Sequence, residues 1–342
     1  MKIKDIGEQG LLAILQKFCP PEIIGDDGAI IPTHADKSLV ITTDMLVDGV
    51  HFSDRTTTPQ DAGWRAVAAN LSDLAAMGAS PLAIAVALSL TPDTPVSWVE
   101  QLYQGMTACL QEYNTPIVGG DIVRSPLIAL AITAFGEVDP ACAIRRRSAQ
   151  PGNAIVATGP HGASRAGLEL LLNPQLETSL TPPERSWLIL AHQRPKPRLD
   201  VLPILWEIVD SKLLQWESKS KIEIAGMDSS DGLADAIIQI CHASNVGAKI
   251  DRNQIPIPST LHRLVSAEKA LNWGLYGGED FELILCLPPE IAQKLIQKLG
   301  AGAAIVGSIT KNPDILLVDS NGIYPEEELN LNKGFQHFLP VN

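Results

Sequence analysis

Short apolar runs bounded by Gly, Asp or Pro alternate along this chain with stretches whose apolar residues recur at helical spacing. That alternation most constrains the fold, because runs of this kind read as buried strands and the spaced stretches as amphipathic helices. In the first half the strand-like runs are 39–43, 82–90, 117–118 and 127–135. Between them, Trp64, Val67, Leu71 and Leu74 of the Ala-rich stretch 61–77 share a face, as do Val99, Leu102, Met106, Cys109 and Tyr113 of 98–113. About 138 residues therefore read as one α/β unit. The polar, turn-forming string Arg145-Arg146-Arg147-Ser148-Ala149-Gln150-Pro151-Gly152 follows and marks a domain boundary. Beyond it the mixed pattern resumes, with strands expected at 154–158, 223–227, 282–287, 304–309 and 315–318. Helices are expected from Ala163 and at 201–216, 233–243 and 289–299. The expected fold class is α/β (α+β) with two domains, 1–140 and 150–342.

Composition narrows the function. With 342 residues, 45% hydrophobic and 19% charged, the chain can bury a core and is too apolar to be disordered. Its 39 acidic and 26 basic residues leave a net charge of −13, which argues against nucleic acid as a partner. An acidic protein still holds phosphate-rich ligands where divalent metals mediate. Five scattered cysteines without zinc spacing point to a reducing compartment, and the start MKIKDIGEQG has no signal-peptide run. The apolar stretches are too short to span a bilayer, so a cytoplasmic protein without membrane contact is expected.

Aspartates in loops beside apolar segments form a series: Gly25-Asp26-Asp27, Thr42-Thr43-Asp44, Asn70-Leu71-Ser72-Asp73, Gly119-Gly120-Asp121, Asp228-Ser229-Ser230-Asp231-Gly232 and Gly277-Gly278-Glu279-Asp280. Taken singly, each reads as a turn or helix N-cap. Six together point elsewhere. Asp44 and Asp121 follow β-rich runs, where strand ends open onto ligand crevices. Asp73 lies inside an apolar helix, where burial is costly unless a cation or donor meets it. Converging carboxylates would repel, and Mg²⁺, which prefers oxygen ligands and bridges to phosphates, relieves that repulsion. Thr42 and Thr43 offer further oxygens, and the glycines let backbone approach a phosphate. The P-loop, protein-kinase, dinucleotide, HExxH, GxSxG and EF-hand signatures are all absent.

These motifs, in this order and over nearly the whole chain, resemble the thiamine-monophosphate kinase family of the aminoimidazole ribonucleotide synthetase superfamily. The match also takes in Ile6-Gly7-Glu8, the string from Met45 to Phe52 and Gly334-Phe335. The resemblance implies ATP-dependent phosphorylation of thiamine phosphate to thiamine diphosphate with release of ADP. It also implies an N-terminal α/β domain that dimerises and binds ATP and Mg²⁺, a C-terminal α/β domain that completes the site, and a homodimer. Matched by motif, Asp27, Thr42, Thr43, Asp44, Asp73, Asp121, Asp228 and Asp231 are implied metal ligands. Tyr103, Gly120, Asp121, Arg146 and Ser230 are implied ATP contacts, and His51 and Glu279 implied contacts to thiamine phosphate. Where the family carries an aromatic before the final Gly-aromatic pair, this chain has Asn332, which leaves ring stacking to Phe335 or unfilled.

That chemistry suits the inventory. A phosphate acceptor is already nucleophilic at neutral pH, so alignment and charge neutralisation by Mg²⁺, with Asp44, Asp73, Asp121 and Arg146 central, would suffice. Bland alternatives stay open for single residues: the Arg145 to Arg147 run as a solvated linker, His51 as a structural histidine, Tyr103 as core. Two alternatives stay open for the whole chain. One is a superfamily enzyme acting on another acceptor, and the other is a binding protein that keeps the scaffold without turnover.

Overall fold

The computed structural model describes residues 1–21, 29–176, 179–216 and 223–334, in two compact units. The first comprises Met1–Leu74, Ala79–Pro140 and Gln193–Pro195. It contains α1 (Ile3–Leu15), β1 (Ser38–Val47), α2 (Pro59–Ala76, to Leu74), β2 (Ser80–Leu90), α3 (Val96–Gln111), β3 (Ile117–Arg124) and β4 (Ala129–Val138). The strands form one sheet of order β1-β4-β2-β3, antiparallel except for the β2–β3 pair.

Strand parity decides what each face of this sheet does. Even-numbered Leu46, Ile84, Val86, Leu88, Leu130, Ile132 and Ala134 are buried, as are Val67 and Leu71 of α2 and Leu102 and Met106 of α3. Odd-numbered residues form the other face, where Leu39, Ile41, Met45 and Val123 are exposed. Helix α2 starts where the sequence marks a start: Thr58 Oγ1 accepts from Asp61 N–H at 3.2 Å and Pro59 holds the first helical position.

The second unit comprises Ala75–Gly78, Ala141–His192 and Lys196–Asn342. It contains β5 (Ala154–Ala157), α4 (Ala163–Leu172), α5 (Pro182–Gln193, to His192), α6 (Val201–Trp216), β6 (Ala225–Asp228), α7 (Leu233–Ser244), β7 (Gly247–Asp251), α8 (Ala267–Tyr276), β8 (Leu283–Leu287), α9 (Pro289–Leu299), β9 (Ala304–Thr310), β10 (Ile315–Val318) and β11 (Glu327–Glu328). The sheet order is β11-β10-β7-β9-β5-β8-β6. Unbroken apolar strands are explained by burial on both faces. Ile155, Ile284 and Cys286 pack with Ile237 and Ile240 of α7, whereas Val156, Leu283 and Leu285 pack with Leu205 of α6 and Leu295 of α9. Because β8 runs antiparallel to both β5 and β6, the loop after β5, the loop after β6 and the loop before β8 meet at one end of the sheet.

The expected helices 201–216 and 289–299 and the strand 315–318 match α6, α9 and β10. Two expectations are corrected. Asp44 and Asp121 do not follow their strands but lie inside them, since Met45 to Val47 continue the pairing of β1 with β4 and β3 continues to Arg124 beside β2. The pattern also missed α1, α5, α8, β7 and the two-residue β11, whose apolar stripes are short, interrupted or lacking, as at Gly7 in α1 with φ 65°.

Candidate active site

In the first unit the inner face of β1 meets α2. The Thr42 hydroxyl donates to the Asp73 carboxylate, and the Asp44 backbone N–H donates to Asn70 Oδ1 at 3.2 Å. Asn70 is buried and its amide is fixed by a bond to Ala66 O at 2.9 Å. A helix-interior aspartate, costly without a donor, thus has one in Thr42. Thr42, Asp44 and Asp73 share a region. Thr43 does not, because its parity turns it to the outer face, where its hydroxyl donates to Ile132 O at 2.9 Å.

Asp121 is also placed apart from Asp44. In the register, Asp44, Ile132, Val86 and Gly120 share one row, so Asp121 falls in the next row with Ala87, Ala131 and Met45 on the outer, exposed face. The two aspartates stand on opposite edge strands, three strand spacings apart. Gly120 must be glycine, since a Cβ there would lie 1.9 Å from Val86 O. His51 Nδ1 accepts from Val47 N–H at 3.0 Å, which leaves the ring proton on Nε2 as a donor. Tyr103 is buried and packs on Phe18 with ring centroids 5.4 Å apart; burial pushes its phenol well above the usual range.

In the second unit three loops are laced together. Ser229 N–H donates to Glu282 O at 2.8 Å, Glu279 N–H to Ser230 O at 2.6 Å, and Glu282 N–H to Ser229 Oγ at 3.2 Å. The ring of His161, fully buried, spans Gly159 O at 3.0 Å and Ser229 Oγ at 3.1 Å. Nδ1 must then carry the proton and Nε2 must accept from Ser229. Burial lowers the His161 pKa to about 4, so the ring is neutral near pH 7. Beneath the loops Glu282 accepts from Thr158 Oγ1 at 2.7 Å and pairs with Arg198, which also donates to Thr158 O at 2.9 Å.

The result is a rigid support for Asp228, Ser230, Asp231 and Glu279. Asp228 ends β6, is buried, and accepts from Ser230 Oγ at 3.1 Å; Asp231 is exposed. Gly278, with φ 67°, lets the chain turn where a Cβ would sit 2.8 Å from Ser230 O. Arg146 Nη1 donates to Gln239 Oε1 of α7 at 2.9 Å. Asn332 is exposed in a short turn, and Gly334 passes beside Asp231, where a Cβ would lie 3.9 Å from Asp231 O. Asp27 and Phe335 lie outside the described residues. Among the described residues no group of three or more His, Cys, Asp or Glu side chains converges as a metal site. His161, His192, Arg198 and Glu282 were not among the sequence-derived candidates. The strings Gly159-Pro160-His161-Gly162 and His192-Gln193-Arg194-Pro195 were the available signal, two polar interruptions between apolar elements.

Family models for AIR synthase related proteins match the chain twice, the N-terminal domain at residues 25–138 and the C-terminal domain at 150–319. Fold and acidic loops together define an AIR synthase related protein. A thiamine-monophosphate kinase of Synechococcus elongatus is 50% identical over 98% of both chains. The crystal structure of thiamine-monophosphate kinase from Stenotrophomonas maltophilia matches with a TM-score of 0.73 and 33% identity, covering 84% of this chain and 87% of that one. The complex of AaThiL with AMPPCP and TMP matches with a TM-score of 0.68 and 31% identity, covering 91% and 93%. The chain belongs to the thiamine-monophosphate kinase family and is a kinase.

Proposed function

We propose that this kinase transfers the γ-phosphoryl group of ATP directly, in line, to the phosphate of thiamine phosphate, releasing thiamine diphosphate and ADP for thiamine diphosphate biosynthesis. The observation that carries the reading is the inner end of β1. There Thr42 donates to the Asp73 carboxylate, and Asn70 of the same helix accepts from the Asp44 backbone N–H, so both aspartates stand where β1 meets α2 with neutral residues around them. Every donor in this set is a hard oxygen, the chemistry that magnesium selects. Asp44 and Asp73 with Thr42 would hold Mg²⁺ in the first unit, with Thr43 contributing backbone oxygen, and Asp228 and Asp231 would hold it in the second. Asp27 completes the assignment. With few protein ligands at each place, remaining positions fall to phosphate oxygens and water, as is usual for this ion. Bound there, Mg²⁺ supplies the positive charge that lets two anionic phosphates approach.

The chain's own residues do the positioning. Arg146, a planar fork braced by Gln239, and Ser230 of the same unit are nucleotide-phosphate contacts, and the Gly120 backbone is assigned to the nucleotide in the first unit. His51, a donor at Nε2, reaches the thiamine phosphate, and the Glu279 carboxylate offsets its thiazolium charge. Phe335 and Asn332 are the residues assigned to the substrate rings. Tyr103, buried against Phe18, backs the nucleotide as a packing residue.

The outer face of the first sheet supports a homodimer. Leu39, Ile41, Met45 and Val123 are an apolar set on one solvent-facing side, and a second copy covers such a face best. Within one chain Asp121 stands on the far edge strand, so an Asp121 that joins Asp44 and Asp73 would be Asp121 of the partner subunit, brought against the β1 edge. We place the enzyme in the cytoplasm, on five unbridged cysteines. No helix among the described residues is long and apolar enough to cross a membrane.

The test is stoichiometric. Purified enzyme with ATP, Mg²⁺ and thiamine phosphate should release ADP and form thiamine diphosphate one for one. ADP release that does not depend on thiamine phosphate, or a product other than thiamine diphosphate, would sink the reading.

A further inference from the structure

The loop that carries Glu279 is unusual in its backbone. Glu279 (φ 58°) and Phe281 (φ 53°) both occupy the left-handed region that favours glycine. Strain of this kind persists only where surroundings over-determine the chain, and it clusters at functional sites. Here the constraints come from the start of α4 and from the loop after β6. Asp280 accepts from the N–H groups of Gly162 at 2.7 Å and Ser164 at 2.9 Å, so it caps the start of α4. Phe281 is buried, and Glu279 N–H is tied to Ser230 O.

The side chain of Glu279 is held from below as well. His192, in the last turn of α5 and 3% exposed, places Nδ1 at 3.5 Å from Glu279 Oε2 and at 3.2 Å from Ser164 Oγ. Two oxygen neighbours at one ring nitrogen, one of them a carboxylate, call for the proton on Nδ1. The Glu279 side chain is 36% exposed, so one carboxylate oxygen is anchored while the group still faces solvent. A long, half-exposed glutamate loses side-chain freedom when it must engage a ligand, and an anchor that orders it beforehand removes part of that loss.

We propose that His192, with Ser164 behind it, is a positioning residue that aims the Glu279 carboxylate at the cationic ring of thiamine phosphate. The inference rests on the reading of Glu279 as a substrate contact, and His192 itself does not touch substrate.

The experiment is a double-mutant cycle on the full-length enzyme, reading KM for thiamine phosphate and for ATP, calorimetric Kd for thiamine phosphate, and Tm. His192→Ala should raise KM and Kd for thiamine phosphate about tenfold, the scale of one polar contact to a carboxylate, and leave KM for ATP within about twofold. His192→Asn, whose amide donates from near the Nδ1 position, should restore most of the loss. In a Glu279→Gln background, His192→Ala should add little further weakening of thiamine phosphate. Ser164→Ala, a smaller perturbation, should show the same selectivity at reduced size if His192→Ala proves unstable. Equal weakening of both substrates, a lowered Tm with unchanged Kd, or fully additive effects in the cycle would overturn the positioning role. A normal Kd in Glu279→Gln alone would instead refute the substrate contact, and the proposal with it.

Discussion

Asp44 and Asp121 belong to one site only if two chains build it, and paired lesions can test this. The two residues lie on opposite edge strands of the sheet β1-β4-β2-β3 and in adjacent rows, on opposite faces. Three strand spacings amount to about 14 Å. Carboxylates sharing one Mg²⁺ must each come within about 2.1 Å of it, so two aspartates bridge at most roughly 11 Å between backbones. Within a chain the gap is too wide. Asp44→Asn and Asp121→Asn should each cut turnover by on the order of 10²-fold or more if each holds the proposed phosphate-bound Mg²⁺. Co-expressed with different tags and purified as a heterodimer, the two variants should recover about half the wild-type rate, since in an isologous dimer one of two sites then carries neither lesion. Steady-state ADP release, with the heterodimer verified by intact mass, reads this directly. A heterodimer no faster than either single variant would refute the shared site.

Other outcomes follow from the second unit. Arg146→Lys should raise the KM for ATP and lower turnover, because an ammonium cannot reproduce the guanidinium fork; unchanged ATP kinetics would make the arginine run a linker. Arg198→Ala strips the partner from Glu282, which accepts from Thr158 beneath the loops. Urea unfolding should show a loss of about 3–5 kcal/mol, and a loss under about 1 kcal/mol would mean that the pair is not effectively buried. The His161 pKa falls by burial from 6.5 to about 4 in the folded chain, so the unfolded chain binds the proton first and stability should decline as pH drops through that window. His161→Gln should remove a slope of up to about 1.4 kcal/mol per pH unit there. Asp280, pushed up to about 7 by burial, slopes the opposite way, so the difference between wild type and variant is the quantity to compare. Identical pH profiles would refute a buried, neutral His161.

The sequence by itself determined most of the strands and the kind of ligand. Apolar runs bounded by Gly, Asp and Pro placed most strands of both sheets, because burial on one or both faces leaves a periodic record in composition. The acid-rich loops pointed to Mg²⁺ and a phosphate-bearing ligand, since residue type sets which ligands are available, and the family resemblance supplied the phosphoryl transfer. Geometry was a different matter. Only the tertiary structure decided that Thr42 faces Asp73 while Thr43 turns away, that Asp121 stands a sheet's width from Asp44, and that His161 and His192 sit beside Ser229 and Glu279. Parity and register depend on which strand lies beside which, and a buried histidine reads the same in sequence whether it braces a loop or fills a core. Those choices rest on pairings between residues far apart in the chain, such as Thr42 with Asp73 and His192 with Glu279, and local pattern does not record them.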